Sequence, residues 1–220
     1  MNSLDKNGFE IVTGLLEPKE RCELMTCLGP ANGAGRRGVL GIPLVERMAS
    51  SARIIALIRT RLKSEPRAVR GIYFDKSLKT NWIVAWHQDL ALAVQARVDI
   101  PGFGPWSRKN GVPHVLAPAE LLERMLILRL HLDDCDETNG ALRVLPGTHL
   151  LGRLSASQIK SIVAGARPTT CCLSSGDALL MRPLLLHSSS RSRKPVHRRV
   201  LHIEYAAFDL PSGLGWYETI

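Results

Sequence analysis

His87-Gln88-Asp89, with His187 far downstream and Arg198 a short stretch beyond it, is the residue set most able to do chemistry. Two imidazoles and one carboxylate form the facial set that holds non-haem Fe(II) while leaving coordination positions open. A guanidinium beyond the last histidine can grip a dicarboxylate by a bidentate pair. Together they describe what an oxygenase using iron and 2-oxoglutarate requires. On an extended strand, residues i and i+2 share a face, so His87 and Asp89 can ligate one ion. His187 has to arrive from another strand. The triplet alone is a weak signal, because seven histidines in 220 residues produce such pairs by chance.

A second block strengthens the reading. The stretch Asn139-Gly140-Ala141-Leu142-Arg143-Val144-Leu145-Pro146-Gly147-Thr148-His149, taken with the triplet and with His187-Ser188-Ser189, resembles the phytanoyl-CoA dioxygenase family. The opening Asn7-Gly8-Phe9-Glu10-Ile11-Val12, followed by Gly14-Leu15-Leu16, is similar to that family's first strand. The resemblance runs from about Asp5 to about Phe208. It implies that His87, Asp89 and His187 bind Fe(II), that Arg198 binds the far carboxylate of 2-oxoglutarate, and that Ser189 helps hold it. It also implies O2 as co-reactant, with succinate and CO2 released as substrate is oxidised. A carboxylate at position 89 fits hydroxylation, whereas halogenating relatives leave that position vacant.

The elements that must position these residues can be read from periodicity. Glu17 to Leu28 and Pro43 to Leu62 read as helices, the second with Val45, Met48, Ile54, Ile55 and Ile58 inward. Pro30 to Gly41 between them reads as a loop. Strands follow from about Gly71: Ile72 to Phe74, Trp82 to Asp89, Leu126 to Asp133 and Val200 to Tyr205. In the third, Leu126, Leu128, Leu130 and Leu132 alternate with Ile127, Arg129, His131 and Asp133, so one face packs under the helices and the other lines an interior. In the last, Arg198 shares parity with His202 and Glu204, which favours it over Arg199 as the cavity residue. Arg129 is the other candidate for a cosubstrate contact, and His131 for a substrate contact. The segment Ala91 to Pro118 reads as too rich in Gly and Pro for regular structure, and thus as a lid or an anchored excursion, with Phe103 and Trp106 as substrate contacts or packing anchors. Asn81 is a candidate for the pocket wall. His114, His149 and His202 are spare histidines, and His149 reads as structural.

Helices first and strands after describe a mainly β chain with flanking helices. The resemblance implies a double-stranded β-helix, a cupin-like jelly roll, in one domain spanning 1–220, with helices over about 17–62 and the core over about 71–208. Composition is that of an ordinary globular chain, 45% hydrophobic and 22% charged. No apolar run is long enough to span a bilayer, and Met1 to Lys6 lacks the layout of a signal peptide. Five cysteines without metal-site spacing fit a reducing compartment, so a cytoplasmic location is expected. No feature specifies an oligomeric state.

The net charge of +9 includes Arg191, Arg193, Lys194, Arg198 and Arg199, readable as an entry rim for an anion or as a solvated loop. The leading expectation is an oxygenase acting on a small molecule, anionic or lipid-derived. A nucleic-acid oxidative demethylase would explain the charge, but no aromatic-interleaved basic stripe accompanies it. A non-catalytic metal-binding jelly roll would have no need of an open iron site with Arg198 beyond it.

Overall fold

The computed structural model describes residues 3–220 apart from Asn32, Ala34, Leu78, Pro195 and Ser212. The helices are α1 (Ser3–Asn7), α2 (Pro18–Leu28), α3 (Pro43–Ala49), α4 (Ala52–Leu62), α5 (Ala119–Leu122) and α6 (Ala156–Gly165). The strands are β1 (Phe9–Val12), β2 (Arg36–Arg37), β3 (Arg67–Lys76), β4 (Val84–His87), β5 (Ala91–Ala93), β6 (Trp106–Lys109), β7 (Val112–Leu116), β8 (Met125–His131), β9 (Leu142–Val144), β10 (Thr169–Cys171), β11 (Ala178–Met181), β12 (His187–Ser189) and β13 (Arg198–Ala206).

A six-stranded antiparallel sheet runs in the order β1-β11-β8-β13-β3-β2, and a four-stranded one in the order β10-β9-β12-β4. Alternation explains how the larger sheet is used. Leu126, Leu128 and Leu130 of β8, with Leu201, Ile203 and Tyr205 of β13, pack against Leu24, Leu28, Val45, Ile54 and Ile58 of the helices. The opposite face turns inward, where Ile127, Leu179 and Met181 meet Leu142, Val144 and Cys171 of the smaller sheet. Two antiparallel sheets closed over a shared interior, with helices covering one outer face, form the jelly roll expected from the sequence.

Three expectations need correction. The stretch Pro43 to Leu62 is two helices, broken at Ser50 and Ser51, whose hydroxyls bond the carbonyls of Glu46 and Met48. Ile55 is only partly buried, while Val45, Met48, Ile54 and Ile58 lie in the core. The Pro30 to Gly41 segment carries the short strand β2, paired to β3 through Arg36↔Tyr73 and Arg37↔Ile72. The third correction is larger. Ala91 to Pro118 contains a regular three-stranded antiparallel sheet, β5-β7-β6, despite its Gly and Pro content. The turn residues Asn110 and Gly111 take positive φ between β6 and β7, the conformation a tight hairpin needs.

Candidate metal centre

The register between β12 and β4 sets His187 directly opposite His87. The two rings lie 4.2 Å apart, centre to centre. Asp89 follows β4, its amide donating to the Pro183 carbonyl at 2.9 Å. Its carboxylate oxygens then sit 3.6 Å from His87 Nε2 and 3.5 Å from His187 Nε2. One ligand atom from each of the three lies within 4.8 Å of the others.

Both imidazoles are oriented the same way. His87 Nδ1 is 2.9 Å from the Ala85 carbonyl, and His187 Nδ1 is 2.9 Å from the Leu185 carbonyl. Each Nδ1–H donates to backbone, which leaves each Nε2 lone pair facing the carboxylate, the tautomer a metal requires. Burial acts to lower the His87 pKa, but Asp89 outweighs it and holds the ring above its usual value. Burial pushes His187 down to about 4. Burial alone would raise Asp89, yet positive charge on the histidine rings holds its carboxyl far below the usual range, as a cation in place of the Nε2 protons would also do. A carboxylate kept ionised between two nitrogen lone pairs fits a divalent cation.

Gln88, between the ligands, does work that the sequence reading missed. Its amide donates to the carbonyls of Gly152 at 2.8 Å and Leu184 at 2.7 Å, and its oxygen accepts from the Leu154 amide at 2.8 Å. The alternation that aims His87 and Asp89 at the metal turns Gln88 away from it, where it ties the triplet to the segment before α6 and to the one before β12. The Asn139 to His149 block serves the same end. Thr148 Oγ donates to the Leu145 carbonyl at 2.7 Å and accepts from the Leu186 amide at 3.0 Å, fixing the entry to His187. Gly140 has φ +81°, and a Cβ there would lie 2.7 Å from the Ser190 carbonyl oxygen, so the chain beyond Ser189 passes where only glycine leaves room.

Beside the triad lies a cavity of about 370 Å³ between the two sheets. Arg198 and Arg129 line it from adjacent strands, and both side chains are buried. The Nε of each lacks a hydrogen-bond partner among the described residues. Arg129 otherwise contacts His202 Nδ1 at 2.9 Å and lies over the Phe74 ring at 5.5 Å. Burial, then the Arg198 charge, lowers Arg129 to about 10, and burial also lowers Arg198. Two buried guanidiniums without a carboxylate partner are costly unless an anion joins them, which a dicarboxylate would do. Arg199 is placed otherwise. Its guanidinium pairs with Asp133 at 2.6 and 2.8 Å on the outer parity, as the alternation predicts.

Ser189 lines the cavity and accepts a hydrogen bond from Lys76 Nζ at 3.1 Å. Lys76, a fully buried amine that the sequence reading did not single out, also donates to the Ser190 carbonyl at 2.6 Å and stands over the Trp82 ring at 5.0 Å. Burial, then Arg198, pushes its pKa down to about 7. Its place opposite Arg198 in the β3–β13 register could be found only once that pairing was known.

The four residues expected to touch substrate are placed elsewhere. His131 is buried with neither ring nitrogen bonded among the described residues, but does not line the cavity. Phe103 and Trp106 pack on a separate apolar cluster around Leu92, Val115 and Trp216, as anchors of the three-stranded sheet. Asn81 exchanges hydrogen bonds with the Ser192 backbone at 2.8 Å. The basic segment near the C-terminus does not form the cavity rim: Lys194 pairs with Asp136, Arg199 with Asp133, and only Arg198 reaches inside. The spare histidines divide. His149 contacts the Asp5 carbonyl at 3.2 Å and His114 sits against Arg70 at 3.2 Å, whereas His202 lines the cavity.

Residues 43–200 match the family model described as phytanoyl-CoA dioxygenase (PhyH). The chain belongs to the phytanoyl-CoA dioxygenase family. No curated protein gives a significant sequence match to it. Solved structures similar to this family member include the non-heme alpha ketoglutarate dependent epimerase SnoN from nogalamycin biosynthesis, at 18% identity and TM-score 0.70, covering 93% of this chain and 80% of SnoN. EctD from S. alaskensis with 2-oxoglutarate and 5-hydroxyectoine aligns at 15% identity and TM-score 0.70, over 93% of this chain and 74% of EctD. HygX from Streptomyces hygroscopicus with nickel and 2-oxoglutarate bound aligns at 17% identity and TM-score 0.66, over 92% and 84%. At such identities the likeness concerns the fold of this phytanoyl-CoA dioxygenase family member. No helix among the described residues is long and apolar enough to cross a membrane.

Proposed function

We propose that this chain is an Fe(II)- and 2-oxoglutarate-dependent dioxygenase that oxidises a C–H bond of a small molecule, by hydroxylation. The observation that carries the reading is the convergence of His87, Asp89 and His187 beside two buried guanidiniums that make no ion pair among the described residues. When bound, iron with 2-oxoglutarate and O2 supplies the oxidative chemistry, and succinate and CO2 leave as products.

The chain's own residues bind, orient and shield. His87 and His187 present Nε2 because the Ala85 and Leu185 carbonyls take their Nδ1 protons. Asp89 remains ionised and supplies the negative charge that a divalent ion needs. Arg198 grips the far carboxylate of the cosubstrate, and Arg129 adds charge from the neighbouring strand. Ser189 offers its hydroxyl at the same end, held in place by Lys76. The apolar faces of Ile72, Phe74, Val84 and Leu116 on the cavity wall limit water around the reacting centre. A small molecule is the substrate that a cavity of about 370 Å³ accommodates.

Succinate formation from 2-oxoglutarate in the presence of iron tests the reading. His87→Ala should lower it at least about 100-fold, since two ligands hold the metal poorly. Full turnover in that variant would show that the metal lies elsewhere.

A further inference from the structure

We infer that Arg37 and Lys109 form a second anion site at the mouth of the cavity, which receives a carboxylate or phosphate group of the substrate. The inference rests on the oxygenase reading and gives its substrate a charge class. The two residues arrive from different sheets, Arg37 on β2 and Lys109 on β6, yet line the same cavity as the metal triad. Neither makes an ion pair or a side-chain hydrogen bond among the described residues. Arg70 stands between them in charge terms but is already committed, bonding Glu204 at 3.0 Å and the Ala91 carbonyl at 3.3 Å.

Arg37 and Lys109 are both held in an unfavourable charge environment. Partial loss of water at the cavity mouth, then the Arg70 and Arg37 charges, holds the Lys109 ammonium below its usual value against the opposing pull of Asp89 and Glu204. Arg37 is lowered by the same desolvation and by Arg70. Like charges gathered at one opening, where Glu204 is taken up by Arg70 and Asp89 belongs to the metal set, are relieved by an incoming anion.

Charge balance points the same way. Five cationic side chains line the cavity against two carboxylates, Asp89 and Glu204, an excess of three. A divalent metal and a dianionic cosubstrate cancel each other, so that excess remains for the substrate. Arg198 and Arg129 lie deep at the cosubstrate end, which leaves Arg37 and Lys109 to meet the anionic group at the entrance.

The test uses the full chain loaded anaerobically with Fe(II) and 2-oxoglutarate, so that the deep guanidiniums are occupied. Sodium sulfate, a dianion probe, is titrated calorimetrically with ionic strength held constant by sodium chloride. Wild type should bind sulfate, and the Arg37→Ala/Lys109→Ala double variant should bind it at least fivefold more weakly. Both side chains are exposed, so the fold tolerates their loss, and Lys109→Glu alone should weaken binding comparably. The visible band of the iron–2-oxoglutarate complex should be unchanged in the double variant. Equal sulfate affinity in the variants, or no sulfate binding to loaded wild type, overturns the inference. So does loss of the band in the double variant, which would assign the rim cations to the cosubstrate. Sulfate binding that depends on Arg37 and Lys109 in a wild type that forms no band would instead sustain the anion site and reject the oxygenase reading.

Discussion

A buried guanidinium without a carboxylate is costly in a folded protein, and two of them stand side by side here with no ion pair among the described residues. The account gives Arg198 the larger share in cosubstrate binding, because its only side-chain partner among the described residues is the weakly accepting Cys135 thiol, while Arg129 is engaged by His202. Arg198→Ala should raise the 2-oxoglutarate concentration needed for half-maximal succinate formation by roughly 10- to 100-fold, the scale of a lost charge-assisted hydrogen-bond pair. Metal affinity should change little. An unchanged requirement would move the clamp to Arg129. These side chains were legible in the sequence: the parity of Arg198, His202 and Glu204 along one strand set them apart from Arg199, and the structure keeps that division. His131 shares the inward parity of Arg129 but lies one step beyond the cavity, because alternation fixes a face and not a depth.

Elements carry the precision of the site. The ligands are held by strand register, with His87 and His187 directly paired, and by Gln88, which bonds three backbone groups from segments that do not touch the metal. Gln88→Leu removes those bonds without altering any ligand. It should destabilise the chain by about 1–3 kcal/mol, the usual penalty for buried polar groups left unpaired. It should also weaken iron binding about tenfold, read by metal titration beside a thermal melt. A melt that drops with unchanged metal affinity would confine Gln88 to the fold. At this scale the sequence was less informative. The triplet's outer residues advertised themselves by chemistry, whereas Gln88 and Lys76 act through partners distant in the chain. The sheet within Ala91 to Pro118 was hidden because most of the Gly and Pro there mark its turns, Pro113 lies within β7, and the strands are short.

At the scale of the whole molecule, the closed pair of sheets keeps an amine out of water. Lys76 is fully buried, and burial with the Arg198 charge lowers its pKa from 10.5 to about 7. Between those values the unfolded chain holds a proton that the folded chain has released, so this residue's contribution to stability rises as pH rises. Below about 7 both states are protonated and the contribution no longer varies with pH. The difference in unfolding free energy between wild type and Lys76→Met should therefore change in wild type's favour from pH 7 to pH 10.5, as followed by denaturant titration. A difference independent of pH would mean that the amine stays charged inside the fold. The jelly roll was legible because helix and strand periods segregate along the chain. The net charge of +9 was not, since the cations at the cavity mouth come from β2 and β6 and only the fold brings them together.

The central claim is that His87, Asp89 and His187 hold iron beside a 2-oxoglutarate clamp, and anaerobic addition of Fe(II) and 2-oxoglutarate to the metal-free chain tests it most directly. The account predicts a visible metal-to-ligand charge-transfer band in wild type that is absent from a folded His187→Ala variant. Folded wild-type protein that gives no band, or a variant that keeps it, would contradict the account.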